Sequence, residues 1–326
     1  MIHLIESQSV LQNYMYLMKF KIVLLLLIAG CSANIEAPLE LPRGNIEVIA
    51  PGSDCERDFL KNLPVKSSSY YENDKERAQS VKDALLSSDN DIIWALRGGY
   101  GTANVVEILY KDEEFLSKIK ENKKRPVVIG YCDITALHLF LSQELAWQTI
   151  HGPVFKEITD NNKKSSFDAI INLLNGIKEI KFIGITAINR AAATSDTIVG
   201  KLTGGNMSII QTSIGTKWQI ETRDKILFLE DCNEKPYQIA RILNHFKAAG
   251  ILDRVKAIII GNLCDSSNYM SNTIKDFADT ISTPIYSLDV FGHGIYNYPM
   301  IYNGDVKISS RERIMILKNL SNLSSE

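Results

Sequence analysis

The sequence predicts an α/β protein, with a parallel sheet covered on both sides in its first half and a second half richer in strands and glycine. Three observations predict this class. Short apolar runs alternate with segments of helical period from residue 45 to residue 145. Near residues 180–197 the pattern changes to mixed polar and alanine-rich sequence ("INRAAATSD"), which reads as a linker. The chain has 326 residues, more than most single cores hold, so two domains are expected. It is 45% hydrophobic and 23% charged, an ordinary globular composition. A net charge of -2 gives no electrostatic reason to expect nucleic acid. Five cysteines form no CxxC pair and five histidines form no HExxH, so neither a metal nor another cofactor is expected.

The elements follow in order. "NIEVIAPGS" (45–53) reads as a buried strand and a turn. "NDKERAQSVKDALLSS" (73–88) reads as a helix capped by Asn73 or Asp74, with Ala78, Val81, Ala84 and Leu85 at helical spacing. "DIIWAL" is a strand, "RGGYGTAN" a glycine-rich turn, "VVEILY" a helix and "PVVIG" the next strand. "ITALHLFLSQEL" reads as an amphipathic helix with Ile134, Leu137, Leu141 and Leu145 on one face. Beyond the linker come "TIVGKLTGGNMSIIQTSIGT" and the strand "KILFLED". The helix "KPYQIARILNHFKAAG" has Pro236 in its first turn, Ile239, Ile242, Leu243 and Phe246 as its stripe, and Gly250 at its end. "VKAIIIGNL" and "TPIYSLDVFGHG" follow.

A targeting segment precedes these elements. From Met18, Lys19 and Lys21 form a basic start and Ile22 to Ile28 an apolar run. Ile28-Ala29-Gly30-Cys31 resembles a bacterial lipobox, which makes Cys31 the expected lipidation site and residues 1–31 a signal segment. The run falls short of the about 20 apolar residues of a spanning helix. Translation starting at Met18 fits the same pattern, and Ser32 favours the outer membrane. Without use of the signal the location would be cytoplasmic.

Four places could carry chemistry. Cys132, in "GYCD", sits between the end of a strand and the start of a helix, with Gly130 allowing a tight backbone. It is either a nucleophile or a small buried residue in a turn, and Ile134 stands where a nucleophile elbow has glycine. "RGGYG" (97–101) lies at another strand end, where parallel sheets bind ligands. As a dinucleotide loop it fails, because Asn104 stands where GxGxxG needs its third glycine. Glu230 closes the apolar strand "ILFLE", a costly position for an acid unless it is paired. His293 stands between two glycines in "FGHG", outside any apolar stripe.

In this order, "RGGYG", "GYxD", "LTGGN", "LED" and "GHG" resemble the LD-carboxypeptidases, bacterial serine peptidases that trim murein tetrapeptides. The resemblance runs from about Glu47 to Ser309. It implies an N-terminal Rossmann-like domain (45–180), a linker (181–197) and a C-terminal β-rich, swivelling-barrel-like domain (198–315). It also implies a triad at their junction, with Cys132 as nucleophile, His293 as base and Glu230 as the acid that orients it. The oxyanion hole maps to the N–H groups of Asp133 and Gly99. The substrate-binding positions are Arg97, Gly98 and Tyr100 of the first loop and Gly205 and Asn206 of "LTGGN". Arg97 could meet a substrate carboxylate or brace its own loop.

Two departures stand out. Cys132 replaces the family's serine, and the stretch between Pro51 and Asp74 is shorter than the family's. The thiol ionises more readily than a hydroxyl, with an ordinary pKa of about 8.5. It is also the better leaving group, so acylation needs prompt protonation of the amine. The expected function is release of a terminal D-amino acid from murein tetrapeptides through an acyl-enzyme. The alternatives are a catalytically impaired, lipid-anchored protein that binds murein peptides, and a class I glutamine amidotransferase-like Cys-His-Glu enzyme, against which the lipobox argues. The expected partners are the murein peptide and the membrane through the lipid anchor, with a homodimer as the oligomer to consider. Cys232, two residues after Glu230, would lie near the triad or be buried, and no disulfide among Cys55, Cys232 and Cys264 follows from spacing alone. His138, His151 and His245 read as scaffold.

Overall fold

The computed structural model describes residues 41–55, 57–67 and 71–320. The expected signal segment with Cys31 lies outside the described residues. The first sheet takes β1 (Ile46–Ile49), β2 (Lys66–Ser67), β3 (Ile92–Ala95), β4 (Val127–Gly130) and β5 (Ile150–His151), all parallel. β1, β3 and β4 are buried along their whole length, which is why they read as unbroken apolar runs rather than as alternation. Around them lie α1 (Asp74–Leu86), α2 (Thr102–Leu109), α3 (Glu113–Glu121), α4 (Thr135–Glu144) and α5 (Lys164–Leu174). Asn73 caps α1 by accepting the Glu76 N–H at 2.9 Å.

α4 departs from the expected amphipathic helix. Every residue from Thr135 to Ser142 is buried. The second half of the chain covers the side that would otherwise meet water. Its polar residues are satisfied internally: His138 bonds the Thr149 hydroxyl at 2.8 Å and the Gly130 carbonyl at 2.9 Å.

The second sheet is mixed. It contains β6 (Glu179–Ile183), β7 (Thr186–Ala187), β8 (Thr197–Asn206), β9 (Ile226–Glu230), β10 (Ala257–Ile260) and β11 (Ile285–Ser287). β12 (Met300–Ile301) instead joins the edge of the first sheet, antiparallel to β5, while β13 (Asp305–Ser309) and β14 (Ile314–Lys318) complete the second. The order is β6-β14-β13-β8-β9-β10-β11-β7. The ten-residue β8 serves two partners, β13 with its first half and β9 with its second. Gly204 makes this possible at φ +147°, since a Cβ there would lie 1.9 Å from the Phe228 carbonyl oxygen. α6 (Arg190–Thr194), α7 (Met207–Ser213), α8 (Pro236–Ala248) and α9 (Asn268–Ala278) complete this half. The fold is thus a Rossmann-like parallel sheet followed by a curled, β-rich α/β unit.

The stretch 181–197, expected as a linker, includes the end of β6, all of β7 and α6, and the first residue of β8. The stretch between Pro51 and Asp74 holds a 3-10 turn (Asp58–Asn62) and the two-residue edge strand β2 among its described residues.

Candidate active site

The site forms where β3, β4 and β9 end. Cys132 follows β4 at φ +63°, a left-handed conformation that costs a non-glycine residue on the order of 1–3 kcal/mol. Gly130 permits the turn, because a Cβ there would come within 2.9 Å of the Ala95 Cβ. Gly98, from the turn after β3, lies directly on the thiol: a Cβ would meet Cys132 Cβ at 2.9 Å and Sγ at 3.3 Å. Cys132 is half-buried and outside the disulfide.

His293 reaches the same point from the loop after β11. Its Nδ1 donates to Glu230 Oε2 at 2.7 Å. The Cys132 side chain is the other group that acts on the ring, favouring its protonated form. Glu230, the last residue of β9, is fully buried, and its Oε1 has no protein partner among the described residues. The flanking glycines are geometric requirements. Gly292, at φ +100°, would drive a Cβ to 2.8 Å from Glu230 Cβ, and Gly294 would drive one to 2.7 Å from the Asn262 amide. Burial is the largest influence on His293 and disfavours its proton. The hydrogen bonds to Cys132 and Glu230, and their charges, outweigh it and raise the pKa to about 10.

Asp133 points away from the opening. Its carboxylate accepts the Thr102 N–H at 2.9 Å and the Thr102 hydroxyl at 2.6 Å, which fixes the turn after Cys132 to the start of α2. Burial raises its pKa, and the Thr102 bonds and the Arg77 charge oppose that. Gly99, at φ +109°, rests on Ser53, whose hydroxyl accepts the Tyr100 N–H at 3.3 Å. Arg97 and Tyr100 are exposed at this rim, and Arg97 Nη1 donates to the Asp54 carbonyl at 3.2 Å.

Gly205 and Asn206 stand beside Glu230, since Asn206 pairs with it across β8 and β9. Both are buried at the end of β8. The Asn206 N–H donates to the Thr135 hydroxyl at 3.0 Å, its Nδ2 to Asp231 at 3.1 Å, and its Oδ1 caps α7 by accepting the Ile209 N–H. They brace α4 against β8, with their polar groups already engaged. His151 is buried under the site between Tyr131 and Phe228, with neither ring nitrogen partnered among the described residues. His138 is buried structure, and His245 is an exposed partner of Gln211.

Sequence reading missed Ser53, Arg77, Thr102, Tyr131, Glu157, Lys163 and Asp231. Arg77 is a buried cation whose Nη1 donates to the Gly52 carbonyl at 2.6 Å, beneath the glycine loops. Beside His293 lies a cavity of about 850 Å³, lined by Asn262, Asp265, Lys275, Asp289 and Ile295 among others. Cys264 also lines it, and it is joined to Cys232 in a disulfide with Cα atoms 5.1 Å apart. β9 ends at Glu230, so Cys232 lies in the following turn and faces Cys264 across the ends of β9 and β10.

A doubly built α/β chain with a Cys-His-Glu cluster at its strand ends is an acyl-transfer enzyme in outline, and the comparisons give its family. The LD-carboxypeptidase N-terminal domain matches residues 32–152 and the LD-carboxypeptidase C-terminal domain residues 199–308. The chain belongs to the LD-carboxypeptidase family and is a carboxypeptidase of that kind. It is 37% identical over 305 residues to a Rickettsia conorii protein named "Putative carboxypeptidase", covering 88% of this chain and 95% of the relative. It is 30% identical over 258 residues to the Bacillus subtilis "Probable murein peptide carboxypeptidase", covering 71% and 75%. A muramoyltetrapeptide carboxypeptidase structure from Oxalobacter formigenes shares the fold, with TM-score 0.70, 22% identity and coverage of 85% and 99%.

Proposed function

We propose that the protein hydrolyses the terminal D-alanine from murein tetrapeptides through a thioester on Cys132. The observation that carries this reading is the His293 ring, held by Glu230 at 2.7 Å and acted on by the Cys132 side chain at the end of β4. The Cys132 thiolate attacks the scissile carbonyl carbon. The N–H groups of Asp133 and Gly99 receive the oxyanion, a contribution of about 10²–10³ in rate per donor. The His293 imidazolium gives its proton to the departing amine, which overcomes the thiolate's tendency to leave first. His293, now neutral, takes a proton from water, whose oxygen attacks the thioester. The tetrahedral intermediate collapses with the Cys132 thiolate as leaving group, which restores the pair with the proton His293 took from water, and the acid product gives its own proton to solvent. Glu230 holds the ring and stabilises its charged form throughout.

Arg97 is the proposed anchor for the substrate's terminal carboxylate, with Gly98 and Tyr100 lining the same rim. The relatives named as murein peptidases support the substrate class. D-Alanine release from a murein tetrapeptide tests the reading. Wild type should release it, and Cys132→Ala should fall to background. The family's serine at the position of Cys132 favours one second reading, a protein that holds murein peptides without cleaving them. Activity in Cys132→Ser alone would select that reading.

We further propose an envelope location, lipid-anchored at Cys31. The Cys232–Cys264 disulfide supports it, since disulfides persist in oxidising compartments. Labelled palmitate should enter wild type and not Cys31→Ala. Equal labelling of both would sink the anchor.

A further inference from the structure

Lys163 is almost fully buried, at 6% exposure, although no sequence pattern marks it. Its Nζ donates to the backbone carbonyl of Gly294, the residue after His293. The same Nζ lies 3.9 Å from Glu157 Oε1. That oxygen accepts the Tyr131 hydroxyl at 2.9 Å, and Glu157 Oε2 accepts the Val154 N–H at 3.1 Å. Tyr131 immediately precedes Cys132, and its ring packs on His293 with centroids 4.7 Å apart. A chain of contacts therefore runs from the nucleophile's turn, through Glu157 and Lys163, to the base's loop. Ser166 adds a second strut, accepting the Asn297 N–H at 2.9 Å, while Asn297 Oδ1 accepts the Gly292 N–H at 2.9 Å.

Burying an ammonium costs several kcal/mol unless good geometry repays it. A methionine would fill the same space at less cost. The lysine earns its place only if the position of the Gly294 carbonyl matters. It does matter, because a shift of about 1 Å between reacting groups can cost about 10²-fold in rate.

We infer that Lys163, Glu157 and Tyr131 form a positioning tie that fixes His293 against Cys132, an inference that rests on the Cys132–His293 reading above. None of the three touches the scissile bond. Their effect passes through the imidazole, so it is read in the ionisation of the thiol. The other titratable and charged groups facing the pair are Glu230 and His151, with Asp265, Lys275 and Asp289 across the adjoining cavity.

The test measures the pH dependence of Cys132 carboxymethylation by iodoacetate, read on its own peptide by mass spectrometry. The wild-type midpoint is the reference for the variants. Lys163→Met and Tyr131→Phe should each raise that midpoint by about one unit, a tenfold loss of thiolate at acidic pH. The double variant should shift no further than the larger single shift, because both act through Glu157. Turnover should show kcat falling about tenfold with KM unchanged. Lys164→Met, which removes an exposed pair with Asp168, is the control and should change neither reading. Unmoved midpoints in both variants, with only melting temperature lowered, would overturn the tie and leave the triad reading intact. Additive shifts would also overturn it. D-Alanine release unchanged in Cys132→Ala would overturn the triad reading and the tie together.

Discussion

Gly292 and Gly98 set how closely the three reacting side chains approach. Each lies where a Cβ would collide with Glu230 or with Cys132 itself. Gly292→Ala would add left-handed strain on the order of 1–3 kcal/mol and push Glu230 from His293. We expect at least a ~100-fold loss of kcat, in line with misplacement of reacting groups, and a lowered melting temperature. Arg97 belongs to the same scale. If it anchors the substrate carboxylate, Arg97→Met should raise KM by about 10–100-fold, the value of a charge-assisted hydrogen bond of ~1.5–3 kcal/mol, with little change in kcat. Much of this was legible in single residues. An acid closing an apolar strand marked Glu230, and paired glycines in an unpatterned loop marked His293. Lys163 and Glu157 were not legible. Their segment, "KEITDNNKK", is polar without period, and the Lys163 contact spans 131 residues of sequence. The side chain of Asn206, in "LTGGN", caps α7 and holds Asp231, contacts that the local sequence does not show.

Among the elements, β9 carries most of the site's rigidity. Its end holds Glu230, then Asp231, which accepts the Ser208 N–H at 2.9 Å and hydroxyl at 2.8 Å, then the disulfide to the turn beyond β10. The disulfide spans 32 residues of sequence. Loop entropy for that length is worth about 3–4 kcal/mol. Cys232→Ser/Cys264→Ser should therefore lower the urea midpoint of the oxidised protein markedly and leave the reduced protein's midpoint unchanged. The strands themselves were legible, because doubly covered parallel strands show as short unbroken apolar runs. α4 was misread as amphipathic. Its apolar face showed in the sequence, but the β8 and α7 surface on its other side comes from residues far along the chain. The two-residue strands β2, β5, β7 and β12 carry too few side chains for any period to appear.

The whole molecule places two neutral histidines under the site. Burial lowers the His138 pKa to about 4, against the hydrogen bond to Gly130, which raises it. The same cause lowers His151, with the charges of His138 and His293 adding to it. In the unfolded chain both take protons near pH 6.5. Between pH 6.5 and about 4 the unfolded state binds more protons, so stability falls as pH falls. The His138 share is about 3 kcal/mol, complete once pH passes below about 4. Chemical unfolding across that window should show this slope, and His138→Gln should flatten it. At this scale the order of motifs along the chain was the most legible feature, and the joining of β12 to the first sheet was the least.

The central claim is that Cys132 forms the acyl-enzyme, and rapid quenching during turnover of a murein tetrapeptide tests it most directly. Mass spectrometry of the acid-quenched protein should find the tripeptidyl adduct on the Cys132 peptide, appearing no later than free D-alanine and absent from Cys132→Ala. D-Alanine released at the wild-type rate by Cys132→Ala, with no adduct on the wild-type thiol, would contradict it.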